Sequence, residues 1–116
     1  MEWVPGSAND KGTFSITRHL YAMTNSAVKV FDYQVANGMK VSNFFTSLRD
    51  KKRQNYNMTP TGVGCRFWVL TVFCDWCTAG LITTTNAAED LANQIQYNYS
   101  KDQAPIKLDI HKGQFF

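Results

Sequence analysis

The sequence predicts an α+β fold: a small antiparallel sheet in the order β-β-α-α-α-β, with three helices packed on one face. Three observations predict it. Apolar residues alternate at strand spacing through Phe14, Ile16 and Leu20, and again around Val28, Val30 and Val35. They recur at helical spacing in three stretches between Ser42 and Tyr99. They alternate once more at Ile106, Leu108 and Ile110.

Each element has its own justification. Residues 5–12 are rich in Pro, Gly, Ser, Asn and Asp and predict a loop, so positions 1–12 are expected to be largely loop or an edge segment. Thr24-Asn25-Ser26 separates two strands, and Asn37-Gly38 closes this hairpin-like unit. The apolar parity slips between Val30 and Phe31, as at a bulge. Ser42 has the chemistry of an N-cap, Phe44, Phe45 and Leu48 follow at helical spacing, and Lys51-Lys52-Arg53 suits the negative end of the helix dipole. Gln54 to Gly64 reads as loop. Cys65 to Ala79 reads as a central, largely apolar helix stopped by Gly80. Asn86 and Glu89 have capping-box spacing, and Leu91, Ala92, Ile95 and Tyr99 form the stripe of a third helix. Three strands leave an open edge, to be covered either by Trp3-Val4 or by pairing of two chains.

At 116 residues the chain is long enough for one domain, residues 1–116, with one core. Apolar residues make up 44%, which excludes a disordered chain. The charged fraction, 18%, falls below the usual quarter or so and leaves apolar surface for a partner or ligand. A net charge of +3 does not by itself point to nucleic acid. No apolar run reaches the roughly 18–20 residues of a membrane span, and no signal peptide is visible. Three cysteines form an odd set without disulfide spacing, so a reducing, cytoplasmic setting is expected.

Thr61-Gly62-Val63-Gly64-Cys65-Arg66-Phe67-Trp68 is the stretch with most chemistry. A thiol in a first helical turn meets unpaired N–H groups and the positive end of the dipole, both of which favour the thiolate. Cys65 is thus a candidate nucleophile, with His19 as its base; His111 is the other histidine. The alternative is a packing role, since Trp68 and Val69 lie three and four positions on. Arg66 is placed to bind a carboxylate or phosphate, and Gly62 and Gly64 let backbone N–H groups approach it. An ion pair with Asp32, Asp50 or Asp75 is the structural alternative. Trp68, Tyr21 and Tyr56 are the aromatic candidates for the pocket wall. Cys74-Asp75-Trp76-Cys77 falls late in a helix, where the dipole disfavours a thiolate, and no second ligand pair accompanies it, so no metal and no cofactor is expected. Arg49, Lys51, Lys52 and Arg53 with Tyr56 make a basic-aromatic patch whose ordinary meaning is a solvated helix end.

The assembled pattern resembles an uncharacterised fungal domain family. The resemblance rests on Gly12-Thr13-Phe14, Tyr21-Ala22-Met23-Thr24, Gly38, Arg53-x-x-Tyr56, Gly62-x-Gly64-Cys65-Arg66-Phe67-Trp68 and Gly113-x-Phe115. It runs from Trp3 onward, implies a fold, and implies no activity. Longer members carry an upstream strand with an Asn-His-Trp motif, which has no counterpart in these residues. A histidine-bearing strand before a helix-opening cysteine is remotely similar to permuted papain-like thiol hydrolases and acyltransferases.

Three functions are therefore expected in turn. The first is binding of a small molecule in an aromatic pocket near residues 61–68 of a homodimer, with scope for cofactor-free cyclase or isomerase chemistry. The second is a thiol-dependent acyl hydrolase or transferase using Cys65. The third is a non-catalytic partner subunit.

Overall fold

Short antiparallel pairs clip the chain around three helices. The structure, a computed structural model, describes residues 1–3 and 11–116. The order is β1 (Glu2–Trp3), β2 (Gly12–Thr13), α1 (Val41–Asp50), β3 (Tyr56–Asn57), α2 (Cys65–Thr78), α3 (Ala87–Ile95), β4 (Tyr97–Ser100), β5 (Gln103–Lys107) and β6 (Gln114–Phe115). The pairs are β1 with β2, β3 with β6 and β4 with β5, each a two-stranded antiparallel sheet. An α+β fold with three helices and small antiparallel sheets is thus what the chain forms.

The helices follow the apolar periodicity closely. α2 lies between α1 and α3 and turns Trp68 and Val72 into the core. It stops in a Schellman turn, with Leu81 N–H donating to Trp76 O at 3.0 Å, Gly80 N–H to Cys77 O at 3.1 Å, and Gly80 at φ +75°. α1 starts one residue before the expected Ser42 cap; Lys40 precedes it, and its N–H donates to Asn43 Oδ1 at 2.8 Å. The end of α1 is a second Schellman turn, in which Lys52, not a glycine, takes φ +54°. That turn aims Arg53 back at α2. The Arg53 guanidinium makes a two-pronged pair with Asp75, at 2.7 and 3.3 Å, and its carbonyl accepts from Trp68 Nε1 at 2.6 Å. Trp76 Nε1 donates to Phe44 O at 3.1 Å, with the two rings edge to face.

The core is Leu48, Tyr56, Met58, Trp68 and Val72, ringed by Met1, Trp3, Phe14, Phe67, Trp76 and Phe115. Burying one such side chain contributes about 1.5–3 kcal/mol. Two of these core residues, Tyr56 and Met58, come from the expected loop 54–64, which contains β3.

Several expectations need correction. The strands expected across Phe14–Leu20 and Val28–Val35 do not form; strand geometry is limited to β2 and a single bridge, Val35 to Ile82. Beyond that bridge, the alternating pattern there has no partner strand among the described residues. The third helix ends at Ile95, so Tyr99 lies in β4 and not on the helix stripe. Tyr97-Asn98-Tyr99-Ser100 is a poor helix former, and Asp102, at φ +60°, turns the chain back to pair it with β5. Asn86 sits at φ +56° without a side-chain capping bond. The last expected strand, 106–110, begins earlier and ends at Lys107. Trp3 does take part in an edge pair, while Val4 and most of the expected 5–12 loop lie outside the described residues.

Tyr33 ties the segment before α1 to α3. Its hydroxyl donates to Asp90 Oδ2 at 2.7 Å, and its ring meets Phe73 edge to face. Burial first, then the Asp90 carboxylate, push the phenol up from 10.0 to about 12. A raised acid stabilises the fold fully below its unfolded value and loses that contribution as pH climbs to the folded one. Tyr33→Phe should therefore flatten the fall in melting temperature between pH 10 and 12; parallel wild-type and variant curves would exclude the tie.

Candidate functional site

The start of α2 is built by a turn, a buried tyrosine and two glycines. Thr59 closes the turn: its N–H donates to Val63 O at 2.9 Å, while its hydroxyl donates to Val63 O at 3.0 Å and accepts from Val63 N–H at 3.2 Å. Gly62 stands at φ +76°, and a Cβ there would meet the Trp3 ring at 2.6 Å. Gly64 precedes the helix at φ +133°, a region closed to L side chains. Tyr56, 0% exposed, donates to Gly64 O at 2.9 Å and accepts from Gly113 N–H at 2.8 Å. Burial pushes its phenol up, so the hydroxyl stays protonated and keeps donating. Gly113 is packed so closely that a Cβ would collide with Asn57 O and the Tyr56 ring.

Beside this helix start lies a cavity of about 580 Å³. One wall is Gly62 to Arg66; the other is Lys107, Leu108, Asp109 and His111, from the end of β5 onward. α2 has no side-chain cap and no acidic residue in its first turn. Among the described residues nothing accepts from the N–H groups of Cys65, Arg66 and Phe67. Arg66 Nη1 donates to Ile95 O at 3.2 Å, satisfying a carbonyl at the end of α3. Among the described residues the ion pairs join Asp75 to Arg53 and Lys51, leaving Arg66, Lys107 and Asp109 outside any.

The cavity brings together Gly62, Gly64, Cys65 and Arg66 of the residues singled out from sequence. It does not include the others. His19 is exposed, bonds to Thr17 Oγ1 at 3.1 Å and stacks near Tyr21, and no hydrogen bond joins it to Cys65. Tyr56 and Trp68 are core residues; Tyr56 acts on the site from beneath through Gly64. Cys65 is exposed, which removes the packing reading of its thiol. Arg66 pairs with none of Asp32, Asp50 or Asp75. The basic-aromatic patch is likewise divided, because Arg53 is engaged by Asp75 and Tyr56 is buried.

Lys107, Asp109 and His111 line the cavity; the sequence motifs point to none of them directly, and His111 enters only as the second histidine. Their signal was present: Ile106, Leu108 and Ile110 were read as one parity of an extended chain, and these three polar residues are the other. Among the described residues no three His, Cys, Asp or Glu side chains converge as metal ligands, and no helix is long and apolar enough to cross a membrane. Cys74 is exposed, and burial pushes the half-buried Cys77 thiol up.

Tyr56→Phe leaves the Gly113 N–H without its acceptor and removes one of two donors to the Gly64 carbonyl, which keeps the Trp68 N–H at 3.2 Å. Urea unfolding should show a loss of about 1–3 kcal/mol; an unchanged midpoint would mean that the bridge bears no load.

Comparison with known proteins gave no match among curated proteins or solved structures. A family described as a domain of unknown function, DUF7770, matches residues 1–116. The chain therefore belongs to the DUF7770 domain family.

Proposed function

We propose that the domain binds a small anionic molecule, a carboxylate or phosphate, in the cavity between Gly62–Arg66 and Lys107–His111. The observation that carries this reading is that two cations, Arg66 and Lys107, line one cavity with the uncapped first turn of α2. Unpaired N–H groups and the helix dipole favour an anion there. The volume lies inside the range of about 300–1,000 Å³ usual for ligand pockets. Asp109 and His111 face the same space and supply an acid and a base. A carbonyl-bearing carboxylate held by Arg66 would have what a cofactor-free isomerase or cyclase needs for proton transfer. The three free cysteines suit a reducing, cytoplasmic setting, and the strand-like pattern of residues 14–33, unpaired among the described residues, suits a homodimer.

The test is calorimetric titration with inorganic phosphate, phosphomonoesters and aromatic carboxylates. Lys107→Ala, in an exposed strand end, should weaken binding about tenfold, as loss of a charge-assisted contact does. Cys65→Ala should leave affinity unchanged. Absence of binding by every anion, or equal affinity in Lys107→Ala, overturns the reading.

A second reading, thiol-dependent acyl transfer, is favoured by one observation: Cys65 and His111, not His19, line the same cavity. In it, His111 takes the thiol proton and the sulfur attacks an acyl carbonyl. First-turn N–H groups hold the oxyanion, and the imidazolium returns the proton to the leaving group. Water then releases the acid. Iodoacetamide should alkylate Cys65 ahead of Cys74 and Cys77 near neutral pH, and His111→Ala should slow it. Equal labelling of Cys65 and Cys74, or no effect of His111→Ala, sinks the thiol enzyme.

A further inference from the structure

Two thiols on α2 take no part in the cavity. Cys74 and Cys77 lie three residues apart near the end of the helix, Cys74 exposed and Cys77 half-buried. The helix is regular through them, since Ala79 N–H still donates to Asp75 O at 2.9 Å. Residues at that spacing share one helix face, with Cβ atoms about 5–6 Å apart. A disulfide needs Cβ atoms about 3.5–4.5 Å apart, closer than an intact helix brings them. One atom held between the sulfurs fits instead, because two metal–sulfur bonds of about 2.3 Å reach about 4.6 Å from sulfur to sulfur. Cys65 opens the same helix about 13 Å away along its axis and cannot join them.

The surroundings select the ion. Burial pushes the Cys77 thiol up and the charge of Cys74 adds to it, while the Ala88 N–H, in the first turn of α3, acts the other way. The two sulfurs thus repel as thiolates, and a cation between them removes that repulsion as it displaces both protons. Asp75, the carboxylate within the motif, is already held by Arg53 and Lys51. Among the described residues no third His, Cys, Asp or Glu converges on the pair. Two sulfurs do not complete the tetrahedron that zinc takes. They suit a soft monovalent cation, Cu(I), which thiolates select and which two donors in line can hold.

We propose that Cys74 and Cys77 form a two-thiolate site for Cu(I) near the end of α2, independent of the anion cavity and of Cys65. The experiment is anaerobic titration of the reduced full chain with Cu(I) against the chromophoric chelator bicinchoninate. It uses the wild type, Cys74→Ser, Cys77→Ser and Cys65→Ser, with circular dichroism of each. The wild type should withdraw one Cu(I) per chain, and X-ray absorption should show two sulfur neighbours. Cys74→Ser and Cys77→Ser should each weaken binding about a hundredfold or more, and Cys65→Ser should change nothing. Cys74 is exposed, so Cys74→Ser keeps the fold and decides the matter even where Cys77→Ser disturbs the helix. A wild type that takes no Cu(I) from the chelator, or equal affinity in Cys74→Ser, overturns the site. Equal weakening by Cys65→Ser overturns the assignment to this pair. Three or more sulfur neighbours overturn the two-donor geometry.

Discussion

The Tyr56 hydroxyl is the constraint on which the rest of the architecture depends. It is buried without access to water, so both of its hydrogen bonds must be met inside the protein. It meets them with the backbone on two sides: the carbonyl of Gly64, one residue before α2, and the N–H of Gly113, one residue before β6. The start of the central helix and the C-terminal strand are thereby fixed to one atom. Both glycines are explained by the same atom, since a Cβ at either would approach it, at 3.1 Å from Gly64 and 2.6 Å from Gly113. The Tyr56 ring does further work, packing 4.6 Å from Phe115, whose other neighbours are Phe67 and the Arg53 guanidinium.

From that pin the chemistry at the surface follows. Holding the Gly64 carbonyl fixes where α2 begins, and with it the uncapped first turn whose Cys65 and Arg66 line the cavity. Holding Gly113 brings the preceding residues, 107–111, across from them. Arg66 then joins the two sides of the site to α3 through Ile95 O. The cavity is thus a gap between the helix start and an extended chain end, each positioned by a backbone bond from a buried or half-buried side chain. This division explains why Tyr56 matters to the site while lying wholly outside its lining.

What the sequence disclosed and concealed divides along the range of the interactions. The start of α2, the Gly80 stop and the pocket-forming Gly62–Arg66 loop were legible because glycine conformation and helix periodicity are local. The alternation at Phe14–Leu20 and Val28–Val35 is real, but alternation records a preference and not a partner, and among the described residues the one partner is the bridge from Val35 to Ile82. β3 and β6 are two residues each and were invisible to any periodicity. That His111 and not His19 lines the cavity with Cys65 was hidden for a related reason. The segment that carries His111 is tied to the start of α2 through the Gly113–Tyr56 bond, which spans 57 residues and leaves no trace in local spacing.

The cavity and the segment before α1 share one element of the fold. Phe31, at the centre of that segment, packs 5.9 Å from Tyr99 on β4. β4 pairs with β5 through Tyr97 to Lys107, and Leu108 N–H donates to Gln96 O at 2.8 Å. Lys107 and Leu108 are already part of the cavity wall. The β4–β5 hairpin is exposed along the whole of β5 and adds no residue to the buried core, so its placement is set by few contacts. Elements held this lightly are the ones that rearrange when surface is covered. A displacement of Phe31 would therefore reach the cavity by way of Tyr99 before it reached any residue of the Tyr56 core.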